Sequence, residues 1–142
     1  MIITTARKPS SKTRIFCKHL GRFTSWEYVT RGKTNREALS DEPFLLVGEH
    51  KGNPGSLSFF SNGISVLSIH VSVSMDKEIH SGKTPYIEGD SPLAGAFRKV
   101  TGLKTGEVGE RIIRINDRIE FIDNMVSYIV LKIRSIRGEG IA

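Results

Sequence analysis

Cysteine is nearly absent from this chain of 142 residues, with Cys17 the only one. An intramolecular disulfide and a cysteine-rich zinc site are both excluded, and a reducing compartment, by default the cytoplasm, is the expectation. Long apolar runs are missing as well. No stretch approaches the roughly 20 residues of a membrane span, and Met1-Ile2-Ile3-Thr4-Thr5 lacks the basic and apolar regions of an export signal. The four histidines, His19, His50, His70 and His80, show no metal-ligand spacing. No Gly-x-Ser-x-Gly nucleophile motif occurs and no pair of carboxylates stands in an informative context. Two Gly-Lys-Thr triplets, at Gly32 and Gly82, lack the earlier glycine of a nucleotide-binding loop, since Glu27 and Lys77 stand in its place. No cofactor, metal or small-molecule substrate is expected.

Acid is scarce in one region only. Residues 1 to 36 hold nine Lys or Arg against one carboxylate, Glu27, while the other 106 residues hold twelve bases and fourteen acids. The overall charge of +6 is therefore concentrated in the first quarter of the chain. A local basic patch on a small protein is the electrostatic footprint of a polyanion, most commonly RNA or DNA. An anionic membrane surface fits less well, because no aromatic-rich amphipathic helix accompanies the charge.

The length suits a single domain able to bury its own core. Ile2-Ile3-Thr4-Thr5 is β-prone, and Pro9, Ser10 and Ser11 then break the strand and cap a helix running to about Leu20 or Phe23. Phe16, Leu20 and Phe23 form its apolar stripe, which leaves Arg14, Lys18 and Arg22 on the opposite side. The helix start, with Thr4, Thr5, Ser10 and Ser11 beside Arg7 and Lys8, offers a seat for a phosphate. Cys17, on the same helix, reads as a half-buried small residue.

Trp26-Glu27-Tyr28-Val29 is a short strand, and Thr34 with Glu37 forms a capping box for a second short helix. The apolar run Phe44-Leu45-Leu46-Val47 leads into Glu49-His50-Lys51-Gly52-Asn53-Pro54-Gly55, a polar loop whose tip presents His50, Lys51 and Asn53. Strands over 57 to 60 and 64 to 75 flank the hairpin signal Asn62-Gly63, and the second alternates, with His70 on its wet face. Residues 76 to 91 read as a mobile connection. Asp90 or Ser91 caps a helix that begins at Pro92, carries Leu93, Phe97 and Val100 inward, and stops before Gly102. Residues 111 to 137 read as two or three strands with a turn at Asp123-Asn124, and the last few residues fray. The fold class is α/β.

Thr4-Thr5-Ala6-Arg7-Lys8-Pro9-Ser10, then Thr13-Arg14, Phe16-Cys17, Arg31-Gly32-Lys33 and Glu49-His50-Lys51-Gly52-Asn53-Pro54-Gly55 together resemble the Brix domain family, in its short archaeal members. The resemblance covers the first 60 residues by motif and the rest by order of elements. It implies a non-catalytic ribosome-biogenesis factor that binds ribosomal RNA during pre-rRNA processing and subunit assembly, with other assembly proteins as further partners. It also implies a single domain over residues 1 to 142 made of two similar halves, about 1 to 76 and 92 to 137. Each half would be a small mixed sheet packed with helices, like the anticodon-binding domain of class IIa aminoacyl-tRNA synthetases. Where eukaryotic members carry an Arg-His pair and an aromatic, Ile122-Asp123-Asn124 stands here. Only first-half residues carry over as RNA contacts: Arg7, Lys8, Ser10, Lys12, Arg14, Lys18, Arg31, Lys33, His50, Lys51 and Asn53. Exposed aromatics are few, so folded RNA is the expected target over a single strand read by stacking. Two other readings stand beside this one: an adaptor whose basic segment docks an acidic protein, and an RNA-acting enzyme with its site at His50.

Overall fold

The computed structural model describes residues 1–6, 8–30, 42–106 and 111–138. The capping box at Thr34 and Glu37 lies outside them, as do Arg7, Arg31 and Lys33. Strand β1 (Ile2–Thr5) leads to helix α1 (Ser11–Thr24), then the short β2 (Glu27–Tyr28) and β3 (Phe44–His50). Strands β4 (Asn53–Ser61) and β5 (Ile64–Met75) follow, then β6 (Tyr86–Glu88), α2 (Pro92–Thr101), β7 (Arg111–Ile115), β8 (Arg118–Asp123) and β9 (Val126–Gly138).

Both helices start and stop on their own capping chemistry. Ser10 Oγ accepts from the Thr13 N–H at 3.3 Å, and Ser91 Oγ from the Ala94 N–H at 3.2 Å with Pro92 following it. Each ends on a left-handed residue, Ser25 (φ 67°) and Gly102 (φ 72°), whose N–H bonds back to Gly21 O and Arg98 O.

The nine strands form one mixed sheet in the order β2-β1-β3-β4-β5-β9-β8-β7-β6. β1 runs parallel to β2 and β3, and β6 runs parallel to β7; the remaining neighbours are antiparallel, and β5 pairs with β9 at the centre. Three of the hairpins turn on two residues of positive φ: Lys51-Gly52 (53° and 78°), Asn62-Gly63 (52° and 77°) and Asn124-Met125 (50° and 68°). That geometry matches the strands' right-handed twist. The polar segment from Glu49 to Gly55, expected as a loop, is therefore mostly strand. Pro54 is accommodated at a bulge opposite Glu49, beyond the β4–β5 pairing that ends at Ser56, where no ladder bond is required of it. The stretch 76 to 91 also carries structure: Ile79 and Ile87 are buried, and β6 lies against β7.

α1 and α2 both lie on one face of the sheet, and their apolar stripes merge with the inward residues of β1, β3, β4, β5, β7, β8 and β9 in one contiguous core. The two helices interlock across the molecule. Phe23 of α1 meets Phe121 of β8 edge to face at 5.2 Å, and Phe97 of α2 meets Phe59 of β4 at 5.3 Å. Each helix thus packs an aromatic against a strand from the other end of the chain, which makes the core a single unit.

A buried arginine reinforces that union. Arg111, only 6% exposed, donates through Nη1 to the carbonyls of Arg22 and Phe23, both at 3.0 Å, and through Nη2 to His80 O at 2.9 Å and Asp123 Oδ2 at 2.8 Å. Its guanidinium also lies 4.7 Å from the centre of the Phe23 ring. The last carbonyls of a helix have no intrahelical donor; here an arginine from β7 supplies one.

Candidate nucleic-acid interface

With Phe16, Cys17, Leu20 and Phe23 turned into the core, helical geometry places Lys12, Arg14, Ile15, Lys18 and Arg22 in solvent. Among the described residues, none of these four bases forms an ion pair or a side-chain hydrogen bond. Ile15 is 47% exposed between them. Lys8 is exposed just ahead of the helix, at a φ of 54°.

The start of α1 is fastened to the β3–β4 hairpin. The Ser10 N–H donates to Glu49 Oε1 at 2.6 Å, and Ser10 Oγ donates to Gly52 O at 2.7 Å. The Thr13 hydroxyl, followed by the Ser10 N–H, holds the Glu49 carboxyl below its ordinary range. The helix terminus that read as a phosphate seat is thus filled by a carboxylate of the chain itself. Ser10 faces inward to the hairpin and sets the distance between α1 and His50, Lys51 and Asn53, all three of which are exposed.

Beyond Ser56 the β3–β4 hairpin leaves the sheet, because β4 pairs with β5 only from Ser56 to Ser61 while β5 continues alongside β9 to Met75. The separation opens a cleft of about 920 Å³. Lys12 and Ile15 line one wall, His50 and Asn53 the hairpin side, and His70 and Arg134 the far side. The structure therefore gathers Lys12, His50 and Asn53 around one cleft, with Arg14, Lys18, Lys8 and Lys51 on the surfaces beside it. Sequence reasoning does not find His70 and Arg134 as members. They arrive through the β5–β9 pairing of residues more than sixty apart in sequence, for which a local pattern carries no signal.

Burial, with a lesser effect of Glu49, pushes the Cys17 thiol up to about 12, so it is not a nucleophile near neutral pH. Among the described residues no group of three His, Cys, Asp or Glu side chains could hold a metal ion, and no helix is long and apolar enough to cross a membrane.

A mixed sheet with both helices on one side is a fold that solved structures share. The archaeal Imp4-like protein Mil has a crystal structure that matches with a TM-score of 0.81 at 25% identity, covering 97% of this chain and 99% of that one. A probable ribosomal biogenesis protein from Aeropyrum pernix shares the fold, with a TM-score of 0.71 at 21% identity over 93% of each chain. No protein-family profile matches. Among sequences, a probable Brix domain-containing ribosomal biogenesis protein from Methanococcoides burtonii is 34% identical, covering 93% of this chain and 94% of the relative. One of the same description from Methanosarcina mazei is 36% identical over 81% of this chain and 78% of its own length. The chain belongs to the Brix domain-containing ribosomal biogenesis proteins, and its role is in ribosome biogenesis.

Proposed function

We propose that this protein acts by binding ribosomal RNA or its precursor during rRNA processing and subunit assembly, without catalysing a reaction. The observation that carries the reading is the row of exposed bases on α1, free of internal carboxylates among the described residues and set beside the cleft. Lys12, Arg14 and Lys18, with Lys8 and Lys51, would engage phosphates, while His50 and Asn53 supply directional hydrogen bonds at the cleft. Ser10 contributes by fixing the helix start against the hairpin. Arg7, Arg31 and Lys33 belong to the same proposal by sequence alone. Other assembly proteins are the expected further partners, and the cytoplasm, where a free buried thiol persists, is the expected compartment.

We also read the chain as one Brix domain of two similar halves, about 1 to 76 and 92 to 137, joined by a connection that brings β6 with it. Supporting this is the recurrence, apart from the short β2 inserted in the first half, of one order, strand, helix, then three antiparallel strands, in β1-α1-β3-β4-β5 and β6-α2-β7-β8-β9. A likeness of each half to the anticodon-binding domain of class IIa aminoacyl-tRNA synthetases belongs to the same proposal.

The test is binding of the purified protein to small-subunit and large-subunit pre-rRNA fragments and to an unrelated tRNA across a range of salt, alongside an Arg14→Glu/Lys18→Glu variant. Preference for one pre-rRNA fragment, weakened in the variant, is the expected result. Weak binding that is equal for all RNAs and indifferent to the substitutions would contradict it, and would turn attention to an acidic protein partner.

A further inference from the structure

The three central strands share a composition that the α1 surface does not explain. β4, β5 and β9 contain nine serines, one histidine, one lysine and two arginines, and no aspartate or glutamate. Their apolar residues, among them Leu57, Phe59, Leu67, Ile69, Ile129 and Leu131, turn toward the helices and are buried. By the period of a strand, Ser56, Ser58, Ser68, His70, Ser72, Ser74, Lys132 and Arg134 turn to the other face, and the extra residue at Arg134 brings Ser135 and Arg137 to it as well. Among the described residues no helix covers that face, because α1 and α2 pack on the opposite one. In the middle of a nine-stranded sheet an acid-free, hydroxyl-rich face is unusual for a surface that meets only water, which ordinarily mixes both signs of charge.

The pairing register shows what is juxtaposed. Ser58 lies opposite Ser68, which lies opposite Arg137; Ser56 lies opposite His70, which lies opposite Ser135; and Ser72 lies opposite Lys132. The Ser58 and Ser68 hydroxyls are 3.0 Å apart. At Arg134 the ladder skips a residue, since His70 pairs with Ser135 and Val71 with Ile133, and such a bulge redirects the side chain it carries. Arg134 Nε donates to Ser72 Oγ at 2.6 Å, leaving its two terminal nitrogens without a partner among the described residues. Ser65, Ser68, His70 and Arg137 also line a shallow depression of about 570 Å³. His70 borders both this depression and the cleft beside α1.

We propose that this open sheet face is a second phosphate-contacting surface for the same RNA, reached from the α1 face through the cleft at His70 and Arg134. The inference rests on the RNA-binding reading given above. Its residue types suit a ribose-phosphate backbone: Lys132, Arg134 and Arg137 supply charge, and serine hydroxyls donate to phosphate oxygens or pair with 2′-hydroxyl groups. An acidic protein segment would also be drawn by the charge. The exposed large apolar residues of these strands, Ile64 and Val126, sit at strand ends and leave the centre of the face without an anchor. That arrangement favours the backbone of a nucleic acid over a protein interface, whose centre normally carries such anchors.

The test uses the unaltered protein and one variant, with the pre-rRNA fragment it binds best. Acetylation of lysines in the free and RNA-saturated protein should protect Lys132 together with Lys12 and Lys18, and leave Lys99 on α2 reactive. A Lys132→Glu/Arg137→Glu variant, both sites exposed and without internal partners among the described residues, should flatten the slope of log affinity against log salt by about 1.4 to 1.8 units. If Lys132 stays reactive under RNA and that slope is unchanged, while Arg14→Glu/Lys18→Glu flattens it, the sheet face is not an RNA surface and the α1 reading stands. No RNA binding by the unaltered protein overturns both. The footprint on the unaltered chain separates these outcomes even if the variant folds poorly.

Discussion

The arginines of β7 and β8 and the bases of α1 meet opposite fates in one small protein. Arg111, Arg114 and Arg118 each face a carboxylate of the chain: Asp123 at 2.8 Å, Glu88, and Glu120 at 3.2 Å. Contact with Glu88 raises the Arg114 guanidinium above its ordinary value. On α1 the corresponding charges, Lys12, Arg14, Lys18 and Arg22, have no such partner among the described residues. A base matched by a neighbouring acid holds strands and helix ends together. A base left unmatched on a surface adds little to stability and raises the local potential, which is what draws in an external anion. Net charge alone would have ranked the two sets together.

Removing Arg111 should produce the largest effect. Arg111→Ala strips the donors from Asp123 and from the carbonyls of Arg22, Phe23 and His80, and the expected cost is about 3–5 kcal/mol, seen as a lower chemical-denaturation midpoint. A loss under about 1 kcal/mol would mean that the clasp contributes little and that the contrast between the two sets is overdrawn. Next comes the interlock on which the single core depends. Phe97→Ala should cost about 3 kcal/mol or more, and a double-mutant cycle with Phe59→Ala should reveal a coupling of about 0.5–1.5 kcal/mol. Zero coupling would imply that α2 is held by other contacts.

Smaller effects sharpen the comparison at its edges. Glu49 is the acid that α1 does keep, at its N-terminus, and its folded pKa lies below the ordinary value. Its contribution is present above the unfolded carboxyl pKa and is lost as pH falls through the lowered folded value. Glu49→Gln should therefore destabilise by about 0.5 kcal/mol at neutral pH and by nothing once both proteins are below that range, measured as paired melting curves. A difference that persists in acid would assign the effect to packing. Arg118→Gln should be the mildest, within about 0.5 kcal/mol, because its pair with Glu120 is exposed on the arginine side.

Local chemistry explains which elements could be read from the chain. Ser10, Ser91, Pro92 and Gly102 mark helix ends through bonds made within a few residues, and Asn62-Gly63 marks its turn through backbone preference alone. The strand 64 to 75 betrays itself by alternation, because its inward residues are buried and most of the others are not, whereas 111 to 123 alternates less cleanly, with Ile112 and Ile122 buried on the second face as well. β6 escapes such reading, since three residues in a glycine- and proline-rich stretch become a strand only by pairing with β7. Lys51 takes a left-handed conformation that shortens an expected loop to a two-residue turn. For the interface, Lys12, Arg14 and Lys18 are legible from helical period and local charge. Glu49 as the occupant of the helix start, Arg111 as the clasp, and His70 with Arg134 at the cleft all depend on contacts between distant segments, which no local pattern announces.

The measurement that tests the central contrast most directly is the salt dependence of pre-rRNA binding by two matched variants, Lys12→Gln/Lys18→Gln on α1 and Arg114→Gln/Arg118→Gln on β7 and β8. Each removes two positive charges. If the unpaired bases are the ones that meet RNA, the α1 variant loses about 1.4 to 1.8 units of log–log salt slope and the strand variant keeps the slope of the unaltered protein. Equal losses in both would contradict the account, since they would show that the RNA responds to total charge and not to where the chain has left it unpaired.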